Sequence, residues 1–217
     1  MKILELELLT ANIKKTKAFY EEVLGLLPYK EDNKKMLFYQ VGGTKLIFKK
    51  SEEVKPVYHF AIDIPNNRFE EAYAFIKKNT ALLTVTKDSD IADFVNWNAK
   101  SFYFYDNNGN IVECITRYTN NTKTVKPFDS DSYIAVSEIG LVTNNVPRLT
   151  EKLKVKFGIP VFHRQPAGEK FTVCGDDDGL FILVESGREW YPSNTKAFNY
   201  PARIVFLSKG VIYHLVE

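Results

Sequence analysis

The chain of 217 residues reads as an α+β protein made of a repeated β-α-β-β-β unit. Three observations predict this. The apolar period switches from two to 3.6 and back to two, and does so again further along the chain. Each first strand carries a polar residue, and an asparagine able to cap a helix follows seven positions later: Glu5 and Asn12, His59 and Asn66, Glu138 and Asn145. After Gly187 strands continue but no fourth helix is legible, so the last unit is reduced.

In the first unit, Lys2–Thr10 alternates, with Leu4, Leu6 and Leu8 on one face. Asn12 caps a helix over Ile13–Leu24, whose apolar stripe is Ile13, Ala18, Phe19, Val23 and Leu24, and Gly25 stops it. Strands are expected near Leu27–Lys30, Lys35–Val41 and Thr44–Lys49, the last two joined by Gly42-Gly43. The second unit has a strand at Val57–Ile64, a helix from Asn67 to Lys78, and strands at Leu82–Lys87, Ser101–Tyr105 and Asn110–Arg117. Asp88–Lys100 reads as an insertion.

Tyr118–Asp131 is polar, rich in Asn and Thr, and reads as a linker centred on 121–132. The third unit has a strand at Ile134–Val142, a helix at Val146–Phe157, and strands near Val161–Arg164, Lys170–Cys174 and Leu180–Val184. An aromatic loop with Trp190, Tyr191 and Pro192 precedes two late strands, Ala202–Leu207 and Val211–Val216. The expected division is 1–120 for the first two units, 121–132 for the linker and 133–217 for the rest. An incomplete third unit leaves sheet edge to cover, which predicts a homodimer through that half.

Composition narrows the function. Apolar residues make up 45% and aromatics 14%, enough for a substantial core. Lys plus Arg number 29 and Asp plus Glu 27, and a net charge of +2 gives no reason to expect a nucleic acid or membrane partner. Cys114 and Cys174 are too few for a disulfide scaffold and suit a reducing compartment. Glu5 and Glu7 interrupt what would be the apolar region of a signal peptide, and no apolar run is long enough to span a bilayer. The expectation is a cytoplasmic protein acting on a small molecule.

Asp106–Asn110 forms a turn, and the strand after it places Glu113 between Ile111 and Ile115. A carboxylate on an apolar face needs a partner, and His59 on the earlier strand is the candidate.

Leu8–Leu26, with its Phe19-Tyr20 pair and Leu24-Gly25-Leu26, resembles the first strand and helix of the vicinal-oxygen-chelate superfamily. Asp106-Asn-Asn-Gly-Asn-Ile-Val-Glu113 resembles the closing hairpin of that group, which includes glyoxalase I, bleomycin-resistance proteins, fosfomycin-resistance enzymes and extradiol dioxygenases. The resemblance implies paired βαβββ modules forming a cupped mixed sheet, with a third module and a reduced, helix-less fourth. It also implies a divalent metal (Mn, Ni, Zn or Fe) held by Glu5, His59 and Glu113, with Glu113 or Glu5 as the catalytic base. Glu5 stands where the group usually has histidine, and a further ligand position falls near Ile47 or Phe48, which cannot bind a metal. Phe48, Trp97, Asn98 and Tyr103 are the expected pocket residues. The implied activity is that of a lyase, isomerase or group transferase on an oxygen-rich substrate. Two other readings stand beside it: a metal-free ligand-binding protein of the bleomycin-resistance kind, and a ring-cleaving dioxygenase. The plainest account of the residues is a structural pairing of Glu113 with His59 or a nearby Lys, with Glu5 in solvent and Glu138 a relic or a structural charge.

Overall fold

The computed structural model describes residues 1–216. The elements of the first unit are β1 (Lys2–Thr10), α1 (Ile13–Leu24), β2 (Lys30–Asp32), β3 (Met36–Val41) and β4 (Thr44–Lys50). Those of the second are β5 (His59–Asp63), α2 (Phe69–Asn79), β6 (Ile91–Phe94), β7 (Ala99–Tyr105) and β8 (Ile111–Arg117). The third has β9 (Ala135–Thr143), α3 (Val146–Phe157), β10 (Phe171–Asp176) and β11 (Gly179–Glu185). The reduced fourth has β12 (Arg203–Ser208) and β13 (Val211–Val216).

Helices α1 and α3 form as their sequences dictate. The Asn12 and Asn145 side chains accept from the Lys15 and Arg148 amides at 3.0 and 2.9 Å, and Gly25 and Gly158 close the helices at positive φ. Helix α2 departs from that pattern. It is preceded by Arg68, which makes no side-chain cap, because Asn66 and Asn67 donate instead to Asn120 O (2.7 Å) and Thr124 O (2.9 Å). The polar segment expected to be a linker is thereby strapped to the second unit, and Glu71 accepts from the Phe128 amide.

Two expected strands are reduced to isolated bridges, Leu82 with Phe104 and Thr86 with Ser89 in one, Val161 with Cys174 in the other. The missing strand of the second unit is β6, inside the expected insertion, where it pairs with β7. Strand β2 also starts later than expected, at Lys30.

Two sheets result, with strand orders β13-β12-β1-β4-β3-β2 and β10-β11-β9-β5-β8-β7-β6. Unit one therefore shares a sheet with unit four, through antiparallel β1 and β12, and unit two shares one with unit three, through antiparallel β5 and β9. The third unit finds its neighbour within the chain, while β10 and β6 remain as the edges of that sheet. Side chains from both sheets and all three helices, among them Leu6, Tyr20, Phe48, Phe60, Leu153 and Phe181, meet in one core. The other face of the seven-stranded sheet carries its own buried cluster, roofed by the loop that contains Trp190 and Ala197.

Candidate metal centre

The site lies on three adjacent strands of the seven-stranded sheet. Parallel register pairs Ala61 of β5 with Glu113 of β8, and antiparallel register pairs the same Ala61 with Glu138 of β9. His59, two residues before Ala61, shares its face. Ala61 keeps the floor between the two carboxylates low. One donor atom from each of His59, Glu113 and Glu138 lies within 4.8 Å of the others, and all three residues are buried.

Each donor is fixed from behind. His59 Nδ1 is 3.1 Å from Ile111 O, so Nδ1 carries the proton, and Nε2, with its lone pair, is 3.6 Å from Glu113 Oε2. The Tyr103 hydroxyl donates to Glu113 Oε1 at 2.9 Å. Arg117 donates to Glu138 Oε1 and Asp63 Oδ1, and to Ser137 Oγ at 3.1 Å. Ser137 in turn donates to Asp63 at 2.8 Å. Backing of this kind orients metal ligands and sets their tautomers.

The electrostatics favour a cation. Burial lowers His59 to about 4, so its imidazole is neutral at neutral pH and cannot balance a carboxylate. Burial raises Glu113 above the usual carboxylate range, and burial together with the nearby Glu113 charge raises Glu138. Asp63, Glu113 and Glu138 are buried beside one buried arginine, Arg117. Two negative charges are left unbalanced, a costly arrangement unless a cation or protons neutralise it. One imidazole and two carboxylates suit a divalent ion with open positions, so the donor set fits.

The structure brings together His59 and Glu113 but not Glu5. Glu5 belongs to the six-stranded sheet, where Lys45 donates to it at 3.0 Å and Arg203 donates to both Glu5 and Glu7. Partial burial works against its ionisation, but hydrogen bonds from Lys45 and Arg203 hold its carboxyl below the usual range. Register explains the difference between the two cups. Arg203 pairs opposite Glu7 as Glu138 pairs opposite Ala61, so an arginine stands in the first cup where a carboxylate stands in the second. The residue that completes the cluster is Glu138. Its signal is the seven-residue spacing it shares with Glu5 and His59; what the spacing does not show is that the second unit pairs with the third. The corresponding position on β11 is Ile182, paired with Gly140 as Glu113 is with Ala61, and it closes that side with an apolar wall.

A cavity of about 240 Å³ opens above the cluster, lined by Trp97, Tyr103, Ile182, Arg188, Trp190 and Tyr191 among others. Trp97 and Tyr103 thus stand where the sequence places them. Phe48 does not: its ring is in the core, 4.8 Å from that of Tyr20. Asn98 does not line the cavity either; at φ 52 it turns the chain and its carbonyl accepts from the Tyr118 amide. The aromatic loop reaches the cavity because β9 carries Gly140. A Cβ there would lie 3.0 Å from Cζ2 and 3.1 Å from Cζ3 of Trp190, too close for any other residue without displacing the indole.

No family model matches the chain. It is 30% identical over 112 residues to the metallothiol transferase FosB of Staphylococcus epidermidis, a match spanning 49% of this chain and 76% of the relative. The FosB of Staphylococcus haemolyticus matches to the same extent. Among solved structures, a proposed dioxygenase from Bacillus subtilis subsp. subtilis str. 168 superposes with a TM-score of 0.63 at 15% identity, covering 100% of this chain and 84% of that one. A glyoxalase I variant from Zea mays gives 0.55 at 16% identity, covering 90% and 70%. At such identities the structural likeness is one of fold. The chain belongs to the vicinal-oxygen-chelate superfamily of glyoxalases, bleomycin-resistance proteins and dioxygenases.

Proposed function

We propose that the protein is a divalent-metal-dependent enzyme acting on a small oxygen-bearing substrate as lyase, isomerase or group transferase, with His59, Glu113 and Glu138 as metal ligands. The observation that carries the reading is the convergence of three buried donors, each held by an outside partner, around two unbalanced negative charges. A divalent ion there would supply Lewis acidity toward a substrate oxygen. The protein's own groups do the rest. The cavity walls are largely aromatic, and Tyr103 holds one oxygen of Glu113. Glu113 would act as proton acceptor on releasing the ion, when burial again favours its protonated form.

Two carboxylates and one histidine favour this chemistry over ring cleavage, which typically uses two histidines and one carboxylate on iron. A metal-free binding protein would have no use for a buried pair of carboxylates on its pocket floor. Among the three reaction types, group transfer is the one that the FosB relatives carry in their name.

Elemental analysis of tag-free protein after Mn²⁺ or Zn²⁺ loading, beside His59→Ala, Glu113→Ala and Glu138→Gln, tests the reading. Near-stoichiometric metal in the parent and its loss in the folded variants support it. Metal retained in all three variants, or none in the parent, defeats it.

A further inference from the structure

The metal reading leaves the substrate open, and the charges around the cavity narrow it. Arg188 is the only arginine or lysine that lines the cavity. It sits on the exposed rim, its guanidinium 4.7 Å from the centre of the Phe171 ring. Its backbone is tied down twice: its amide donates to Glu185 O at 3.1 Å, and its carbonyl accepts from Ala197 at 2.7 Å. The carboxylates next to it in sequence are already engaged, Glu185 with Lys170 at 3.2 Å and Glu189 with Lys196 at 2.9 Å. Among the described residues no carboxylate pairs with Arg188, so a positive charge resting on the Phe171 ring is presented at the mouth of the cavity without a counter-ion.

Below it the walls are flat and apolar. The Phe94 and Trp97 rings are 5.6 Å apart, Phe94 and Tyr191 6.2 Å, and Tyr191 stands at 90° to Tyr103. Rings this close pack on one another, and together they form an apolar wall against which a planar body can lie.

With a divalent ion in place, as proposed above, Glu113 and Glu138 are neutralised by it, and Asp63 by Arg117. The cavity then keeps the single positive charge of Arg188. We propose that its ligand is a ring-bearing monocarboxylate, with the ring among Phe94, Trp97 and Tyr191 and the carboxylate on the Arg188 guanidinium, a planar fork matched to it. A dianionic head group such as a phosphonate would bring one negative charge more than the cavity can balance.

Benzoate, benzamide and phenylphosphonate offer one ring with three head groups. Each is titrated into the Mn²⁺-loaded protein and into Arg188→Met and Arg188→Lys, by calorimetry and by the fluorescence of Trp97 and Trp190. We expect benzoate to bind roughly tenfold or more tighter than the other two, Arg188→Met to lose that advantage, and Arg188→Lys to recover part of it. Benzamide binding as well as benzoate, phenylphosphonate binding tighter, or Arg188→Met binding benzoate undiminished would each overturn the proposal. Elemental analysis of the same samples reads the metal separately. Arg188→Met is expected to keep its metal, so a failure at the rim is told apart from a failure of the centre.

Discussion

Glu113 and Glu138 stand one strand away from Ala61 on either side, two carboxylates from different units facing one buried alanine. Neither unit could assemble this pair alone. The second supplies a histidine and a glutamate, the third a glutamate and, at the remaining position, Ile182.

This arrangement separates the two first-strand glutamates that the sequence treats alike. Glu138→Gln should lower metal affinity by more than about tenfold, while Glu5→Gln should leave metal content unchanged. It should also cost little stability, on the order of 1 kcal/mol or less, because Glu5 and its partners are partly exposed. Elemental analysis and thermal melts of both variants check this.

Tyr103→Phe keeps the ring and removes only the hydroxyl that holds Glu113 Oε1. Metal affinity should fall by about 10–100-fold with the fold intact. Equal affinity in a competition titration with a fluorescent chelator would remove Tyr103 from the site's support.

Acid should act in opposite directions on the loaded and metal-free protein. Glu113 and Glu138 are both raised by burial, so as pH falls through neutral they take up protons that a metal must displace, and metal affinity should drop. His59 stays neutral down to about 4 and does not limit binding in this range. In the metal-free protein the folded state binds more protons than the unfolded one at these two groups. Its stability should therefore rise on acidification from about pH 8 to about pH 6. Melting curves with and without metal read both signs.

Gly140→Ala should displace Trp190 and cost about 1–3 kcal/mol. The indole contacts His59, at 5.3 Å between ring centres, so the loop should loosen over the cavity. Tryptophan emission, read together with the melting temperature, follows the change; an unshifted spectrum would mean that the backbone absorbs the methyl group.

Much of the fold is legible in the sequence because it rests on local signals. The Asn12 and Asn145 caps, the Gly25 and Gly158 stops and the Asp106–Asn110 turn act within a few residues of themselves. Strand partnership is not local. Alternation shows that β1 and β5 each need neighbours, but nothing near Glu5 or His59 says that those neighbours are β12 and β9. That gap explains the candidate site. His59, Glu113, Trp97 and Tyr103 lie in one unit, within reach of one pattern. Glu138, Arg117's role behind it, and the Arg188–Tyr191 rim depend on which units share a sheet. Asn66 departs from the cap pattern for a related reason, since its amide is drawn to the strap at Asn120 rather than to its own helix.

The pairing of β1 with β12 also bears on how the molecule is made. Lys2 lies opposite Leu207, so β1, made before β12, must wait for it before their sheet can close. The seven-stranded sheet needs nothing beyond Glu185 in register and can assemble first. Until Arg203 arrives, Glu5 has only Lys45, and Glu7 and the β12 side of β1 have no cover, a window in which a nascent chain is exposed to mispairing. Synthesis order thus makes the chemically silent sheet the vulnerable one, and the sheet that carries the site the earlier to be secured.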